Sequence, residues 1–216
     1  MLAGMKLNLT ADEVLTTTRS VRKRLDFDKP VDRATVEECL EIAMQAPTGS
    51  NRQGWHWVVI EDADLRKAVT DVYRRNFDEY RSMPGAEYAA GDSRGERQEK
   101  VRDSATYLSD NFHRAPMLLI PCLWGRLDRA SVVEGAGAWG SLLPAVWSYM
   151  LAARARGLGT AWTTLHLRHE QEVAELLGLP AGMRQAALIP TAYYTGDTFR
   201  AAPRQPLDAV LHVNGW

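Results

Sequence analysis

The sequence is poor in cysteine, has no surplus of charge of either sign, and contains no long apolar run free of helix breakers. Each absence narrows the possibilities. Its two cysteines among 216 residues, Cys39 and Cys122, are too few for a disulfide framework and lack metal-ligand spacing. Cys39 falls in a helical pattern and Cys122 in an apolar run, so both read as buried thiols. The 26 basic and 27 acidic residues leave a net charge of -1. That removes the basic field a nucleic acid or an acidic membrane would require. The opening Met1–Lys6 lacks the charged start and long apolar core of a signal peptide. The uncharged stretch Gly135–Ala153 approaches the length of a membrane span, but three glycines, two serines and Pro144 interrupt it. It reads instead as a helix buried inside the globule or between subunits, and the cytoplasm is the expected compartment.

Catalytic signatures are scarce as well. There is no G-x-S-x-G elbow, and His166-Leu-Arg-His169 has neither the spacing nor the glutamate of a zinc helix. Gly135-x-Gly137-x-x-Gly140 has the letters of a dinucleotide turn without its setting. The capping box Ser131-Val-Val-Glu134 starts a helix before the first glycine. The acidic ribose partner due about twenty residues on is missing, since the next acidic residue after Glu134 is Glu170. The glycines therefore read as points of close helix packing.

What is present is an alternation of helical and strand patterns, with no repeat and no long linker. A capping box at Thr10–Glu13 opens a short helix through Thr18. Asp32 caps a second, with Val36, Leu40 and Ala43 on one face beside Cys39 and Ile42. Trp55–Ile60 reads as a strand, and Asp62 to about Arg81 as a helix with Leu65, Val69, Val72 and Tyr73 turned inward. Ser82–Gly95 loosens into a loop or flap, and helical pattern returns from Glu96 to Phe112. Pro116–Trp124 is apolar throughout, as a strand covered on both faces should be. The helix from Ser131 runs to about Arg156, with Pro144 set against the movable Gly140. Thr160–Leu165, Ala186–Tyr194 and Val210–Val213 read as strands around an amphipathic helix, Glu170–Leu177. Residues 1–216 form one α/β or α+β unit.

Two stretches carry candidate chemistry. In Ala46–Ile60, Thr48, Gly49, Ser50, Asn51 and Gln53 cluster without acidic residues beside Trp55 and Trp57. Hydroxyls, amides and bare backbone on an apolar floor suit the edge of a flat heterocycle; an ordinary helix-to-strand turn explains the stretch equally well. Arg19-Ser-Val-Arg-Lys-Arg24 is by default a solvated basic face. Its functional reading is an anion site, since the guanidinium fork matches a phosphate and Ser20 adds a hydroxyl and an N–H. Arg204, between Pro203 and Pro206, has a stiff backbone that would aim its side chain.

Arg19-Ser-Val-Arg22 followed by Ala-Pro-Thr-Gly-Ser-Asn-Arg-Gln-Gly-Trp-His-Trp resembles the paired N-terminal signature of the nitroreductase family. Gly157-Leu-Gly-Thr-Ala-Trp162, Leu176-Leu-Gly-Leu-Pro180 and Pro203-Arg-Gln-Pro-Leu207 continue that resemblance in order over nearly the whole chain. It implies an α+β, three-layer fold with a central mixed sheet flanked by helices, in an intertwined homodimer with one FMN at each of two subunit-interface sites. By position, Arg19, Ser20 and Arg204 would hold the FMN phosphate, and Arg22 would reach the pyrimidine edge. Thr48, Gly49, Ser50 and Asn51 would line the flavin from the other subunit, Gln53 would belong to the cofactor site as well, and the backbone at Thr163, Thr164 and Leu165 would approach the ring near N5. Residues 82–95, with Tyr80 and Tyr88, would form a substrate lid, and 206–216 an arm crossing to the partner.

The implied activity is hydride transfer from NAD(P)H to FMN and then reduction of a nitroaromatic, quinone or related small acceptor. The sequence offers no metal site and no clear side-chain general acid, so protons would come from water or the flavin's own surroundings. A dehalogenase or flavin-fragmenting enzyme on the same fold, or a non-catalytic flavin carrier or redox sensor, are the alternatives. Two departures stand out: Thr18 replaces a further arginine before the Arg-Ser pair, and Gly54 replaces the proline before Trp55.

Overall fold

The computed structural model describes residues 6–88, 92, 94–125, 127 and 130–216. Met1–Met5 and, within the expected lid, Ala89, Ala90, Gly91 and Ser93 lie outside the described residues. The helices are α1 (Ala11–Thr17), α2 (Arg33–Ala43), α3 (Ala63–Ser82), α4 (Gln98–Asn111), α5 (Val132–Ala155) and α6 (Glu170–Leu176). The strands are β1 (Leu25–Asp26), β2 (Trp55–Ile60), β3 (Met117–Trp124), β4 (Leu158–Thr160), β5 (Met183–Gln185) and β6 (Ile189–Tyr194).

Both expected capping boxes form, at Thr10 with Glu13 and at Ser131 with Glu134. In each, the glutamate accepts from the cap backbone and its own N–H donates to the hydroxyl, which satisfies amides the helix leaves free. Those bonds also favour ionisation, and hold the carboxyls of Glu13 and Glu134 below the usual carboxylate range.

Strands run β1-β6-β3-β2, with β4 paired to β6 and β5 paired to β3. Every registered pair is antiparallel, and the bridge between Ser20 and Thr160 supplies the parallel contact. β3 explains the layering. Met117, Leu119 and Leu123 face a core built with α2 and α5. Leu118, Ile120 and Cys122 face the opposite core, with α3 and Phe112. An alternating strand buried on both faces must be apolar at every position. Pro121 falls where β3 passes from β6 to β5 as its partner on one edge. Its carbonyl faces that edge and accepts from the Ala186 N–H at 2.9 Å, so its missing N–H costs no ladder bond.

Some elements differ from the sequence pattern. β4 ends at Thr160; Thr163 keeps one bridge, to Leu188, and Leu165–His169 turns as a 3-10 helix. The apolar run at Ala186 divides, because β6 starts only at Ile189. Val210–Val213 forms no strand: a 3-10 turn at Leu207–Ala209 precedes it, and Val210, Leu211 and Val213 are exposed. Ile42 and Leu65 are also exposed rather than core. Cys39 and Cys122 are buried free thiols, and burial raises each to about 12. Among the described residues no helix is long and apolar enough to cross a membrane.

His166 is fully buried, and neither ring nitrogen meets a partner among the described residues. Burial lowers its pKa to about 3. Between that value and the unperturbed value of about 6.5, the unfolded chain binds a proton that the folded chain refuses, so stability falls as pH falls. Urea unfolding should therefore lose about 1.4 kcal/mol per pH unit through this group below about pH 6. His166→Leu should flatten the pH 7 to pH 5 difference by about 2 kcal/mol. An unchanged slope in that variant would remove His166 as its source.

Candidate functional site

Segment 19–25 lies along the outer edge of β4. The Val21 N–H donates to the Thr160 carbonyl at 2.8 Å, beside the Ser20–Thr160 bridge. This approach needs a bare backbone opposite: a Cβ on Gly159 would stand 3.1 Å from Val21 Cβ and 3.0 Å from Leu25 Cδ2. The segment so held borders a cleft of about 270 Å³ lined by Arg19, Ser20, Val21, Arg22, Lys23, Arg24, Ser104 and Phe199. The expected Arg19, Ser20 and Arg22 are thus brought together. Arg204 is not among the lining residues; it is exposed, and its Nη1 donates to the adjacent Pro203 carbonyl at 3.1 Å.

The arginines of the cleft differ in what they already hold. Arg19 Nη1 donates to the Arg200 carbonyl at 3.1 Å, and the rest of its fork meets no acceptor among the described residues. Lys23 pairs with Asp103 at the surface. Arg22 is half-buried, and its guanidinium has no protein acceptor among the described residues. Desolvation lowers its pKa, partly offset by the nearby Tyr73. Burial in turn pushes the Tyr73 phenol up to about 12, and Arg22 opposes that rise. An arginine stays charged through such a shift, so the cleft contains a partly desolvated cation awaiting an acceptor.

The second expected stretch, Thr48–Gln53, leaves α2 and turns tightly before β2. Ser50, Asn51 and Gln53 have φ of 53°, 52° and 48°, a left-handed conformation that crowds the side chain of any residue but glycine. Local bonds fix the turn. The Gln53 N–H donates to Thr48 Oγ1 at 3.2 Å, and Gln53 Nε2 donates to Asn51 Oδ1 at 3.0 Å. The Gly49 N–H donates to Ser141 Oγ on α5 at 3.0 Å, and that hydroxyl donates to the Gly137 carbonyl at 2.7 Å. Strain concentrated in one exposed, polar turn is a mark of a functional segment. None of Thr48–Gln53 lines the cleft of the same chain.

Thr163 is tied to Leu188 through its backbone and hydroxyl, Thr164 is exposed, and Leu165 is partly buried. Tyr80 is exposed on α3. Tyr88 is held in place: its hydroxyl accepts from Gln98 Nε2 at 2.9 Å, and a Cβ on Gly95 would stand 3.1 Å from its own Cβ. Sequence reasoning missed Ser104, Ser141 and Phe199, since small polar residues within helices and a lone aromatic in a loop carry no motif. It also read Gly135, Gly137 and Gly140 as packing points. They lie within α5, yet a Cβ on any of them would meet nothing within 4 Å among the described residues, because the first turns of that helix stand largely clear of the rest of the single chain.

Comparison with known proteins gives this arrangement a family. The model of the nitroreductase family matches residues 15–193. The chain belongs to the nitroreductase family. It is 30% identical to 4-nitrobenzoate reductase of Nocardioides sp. (strain LMS-CY), over 91% of this chain and 87% of that protein. A variant of an FMN and NADPH-dependent nitroreductase from Sphigopyxis sp. strain HMH superposes with a TM-score of 0.70 at 24% identity, covering 96% of this chain and 100% of that one. An iodotyrosine deiodinase bound to FMN and 3-iodo-L-tyrosine gives a TM-score of 0.67 at 22% identity, covering 92% and 96%. The structural likenesses establish the α+β nitroreductase-like fold. Family membership makes the chain an oxidoreductase of that class.

The strained turn yields a stability test. At φ 53°, Ser50→Gly removes the left-handed penalty of about 1 kcal/mol and offsets the entropy cost of glycine. It should leave the unfolding free energy within about 0.5 kcal/mol of the parent. Ser50→Val, β-branched at the same φ, should cost more than about 1.5 kcal/mol. Equal stability of the two variants in urea would show that the turn is not held in this conformation.

Proposed function

We propose that the protein is an FMN-dependent oxidoreductase that takes hydride from NAD(P)H and reduces nitroaromatic, quinone or related small acceptors by a ping-pong mechanism. The observation that carries this reading is Arg22, a half-buried guanidinium without a protein acceptor in a cleft shared with Arg19 and Ser20. A desolvated cation of this kind is costly unless a ligand completes it. The residues present suit FMN: a fork and a hydroxyl for the phosphate from Arg19 and Ser20, joined by Arg204, and Arg22 for the pyrimidine edge. The backbone at Thr163–Leu165 would meet the ring, and Thr48, Gly49, Ser50, Asn51 and Gln53 of a second copy would line it with uncharged groups. Tyr80, Tyr88 and the segment beyond Ser82 would cover the acceptor.

The chemistry supplied by bound FMN is acceptance of hydride at N5 and delivery of reducing equivalents to the acceptor. The protein's own share is to bind, orient and exclude water. Its arginines neutralise the phosphate, and its strained turn presents fixed donors and acceptors without rearrangement. The likeness to the deiodinase favours reductive dehalogenation as a second reading; an anaerobic acceptor screen including halogenated phenols separates the two. Failure of NADH and NADPH to bleach the bound flavin would favour a carrier or redox sensor.

A second copy of the chain is proposed to complete the site. α5 exposes Val132, Val133 and Trp147, with room beside each of Gly135, Gly137 and Gly140. The tail exposes Leu207, Val210, Leu211, Val213 and Trp216, the last almost completely. So much exposed apolar surface along one helix and one arm fits an obligate interface, above about 2,000 Å² in total.

The protein should purify yellow and release FMN, not FAD, on heating. A charge-assisted bond contributes about 1.5–3 kcal/mol, so Arg204→Ala should weaken FMN binding roughly ten- to a hundredfold. Wild-type affinity in that variant would take Arg204 out of the site. Removing residues 206–216 should give monomers or aggregate without flavin on size-exclusion chromatography; a stable yellow monomer would rule out the crossing arm.

A further inference from the structure

Arg24 lines the cleft, yet its guanidinium is committed elsewhere. Nε donates to the Thr195 carbonyl at 2.6 Å and Nη1 to the Thr198 carbonyl at 2.9 Å. Its Cζ lies 4.1 Å from the centroid of the Phe199 ring and 5.4 Å from that of Tyr194. Nη2 occupies the space over Gly196, where a Cβ would stand 2.8 Å from it and where φ is +80°. The backbone answers from the other side, with the Thr195 N–H donating to the Arg24 carbonyl at 2.9 Å. One fork therefore grips two carbonyls and an aromatic face of a single excursion, Thr195–Phe199. A flexible ammonium could not match that set with one rigid plane.

Two further arginines close the same excursion. Arg154, buried at the end of α5, places its Cζ 5.2 Å from the Phe199 centroid and donates from Nη1 to the Tyr194 hydroxyl at 2.6 Å. Arg19 donates to the Arg200 carbonyl at 3.1 Å. Phe199 thus has two guanidinium groups against one ring, an arrangement each cation gains from only when held there. The chain leaves this clasp at Arg200 and reaches Arg204 four residues on, a span of at most about 14 Å when extended. No hydrogen bond of Arg204 to any residue but its neighbour Pro203 fixes it among the described residues.

We propose that Arg24 is a positioning residue for cofactor binding: it clasps Thr195–Phe199 and thereby holds the strap that brings Arg204 to the phosphate end of the cleft beside Arg19 and Ser20. Arg24 acts through the strap rather than on the ligand, because Nε and Nη1 are held by the Thr195 and Thr198 carbonyls, its plane lies against Phe199 and its Nη2 sits over Gly196. The inference rests on the proposed FMN site. It predicts an effect confined to the phosphate.

Binding of FMN and of riboflavin, which lacks the phosphate, separates the possibilities when both are titrated by flavin fluorescence into the flavin-stripped full-length protein. The parent should prefer FMN by more than tenfold. Arg24→Met should reduce that preference at least fivefold through FMN alone, with riboflavin affinity within twofold of the parent. In the Arg204→Ala background the same change should have less than a twofold further effect on FMN, since the strap then carries nothing to position. Arg24→Lys keeps the charge and serves where the methionine variant does not fold; it should lose most of the preference as well, because the grip needs the fork. A preference retained in Arg24→Lys, or a loss of both ligands together in Arg24→Met, would overturn the clasp while leaving the FMN site standing. A parent protein that does not distinguish FMN from riboflavin would overturn the site and the clasp with it.

Discussion

Gly159 has no side chain, and Val21 and Leu25 lie where one would begin, within about 3.1 Å of its ideal Cβ position. That approach lets the 19–25 segment run beside β4 and pass its Val21 N–H to Thr160. Interiors of this density transmit a displacement rather than absorb it. A methyl group at Gly159 would push the segment outward and carry Arg19, Ser20 and Arg22 with it. The cleft stands on this contact between an apolar strip and a bare strand, together with the pairing of Leu25 and Asp26 with Tyr194 and Tyr193 that brings Arg24 to its clasp. β4 in turn is held by its register with β6, Leu158 to Tyr193 and Thr160 to Thr191, so the site is tied directly to the central sheet.

The basic residues near the cleft show how burial assigns different work to one side-chain type. Lys23 sits at the surface, where an ion pair with Asp103 contributes little. Arg24 bonds two carbonyls through Nε and Nη1, and Arg154 bonds the Tyr194 phenol and the Thr17 hydroxyl, while both lie against the Phe199 ring, and so they act as structural forks. Arg22 is partly desolvated with no protein acceptor among the described residues, and it is the one whose cost a ligand would offset. A run of four basic residues in six is therefore not a uniform patch.

α5 joins the two halves of this picture. Its C-terminal half is buried, with Tyr149 bonded to Thr191 at 2.7 Å in the core. Its N-terminal half is apolar and outward, and through Ser141 it holds the strained turn at Gly49. Left-handed backbone at Ser50, Asn51 and Gln53 persists only where its surroundings over-determine it. The Ser141 hydroxyl, the Thr48 hydroxyl and the Asn51 amide supply that restraint.

Much of this was determined by the sequence alone. Capping boxes at Thr10 and Ser131, the doubly buried β3, the helical setting of the three glycines and the buried thiols follow from local chemistry: side chains that bond their own backbone, and strict apolar alternation. The candidate site was legible as two polar or basic stretches, because hydroxyls, amides and guanidinium groups are unusual where a plain turn would suffice. Tertiary structure decided the rest. Thr160–Leu165 is strand-like in composition, but only Leu158–Thr160 finds β6 beside it, and strand structure requires a neighbour to accept its bonds. Val210–Val213 has strand-forming residues and no partner strand among the described residues, so it stays irregular, with Val210, Leu211 and Val213 exposed. That Arg22 is free while Arg24 is spent cannot be read from residue type. It depends on where residues 195–200 return, more than 170 positions later, and on a glycine that leaves room for the segment between them.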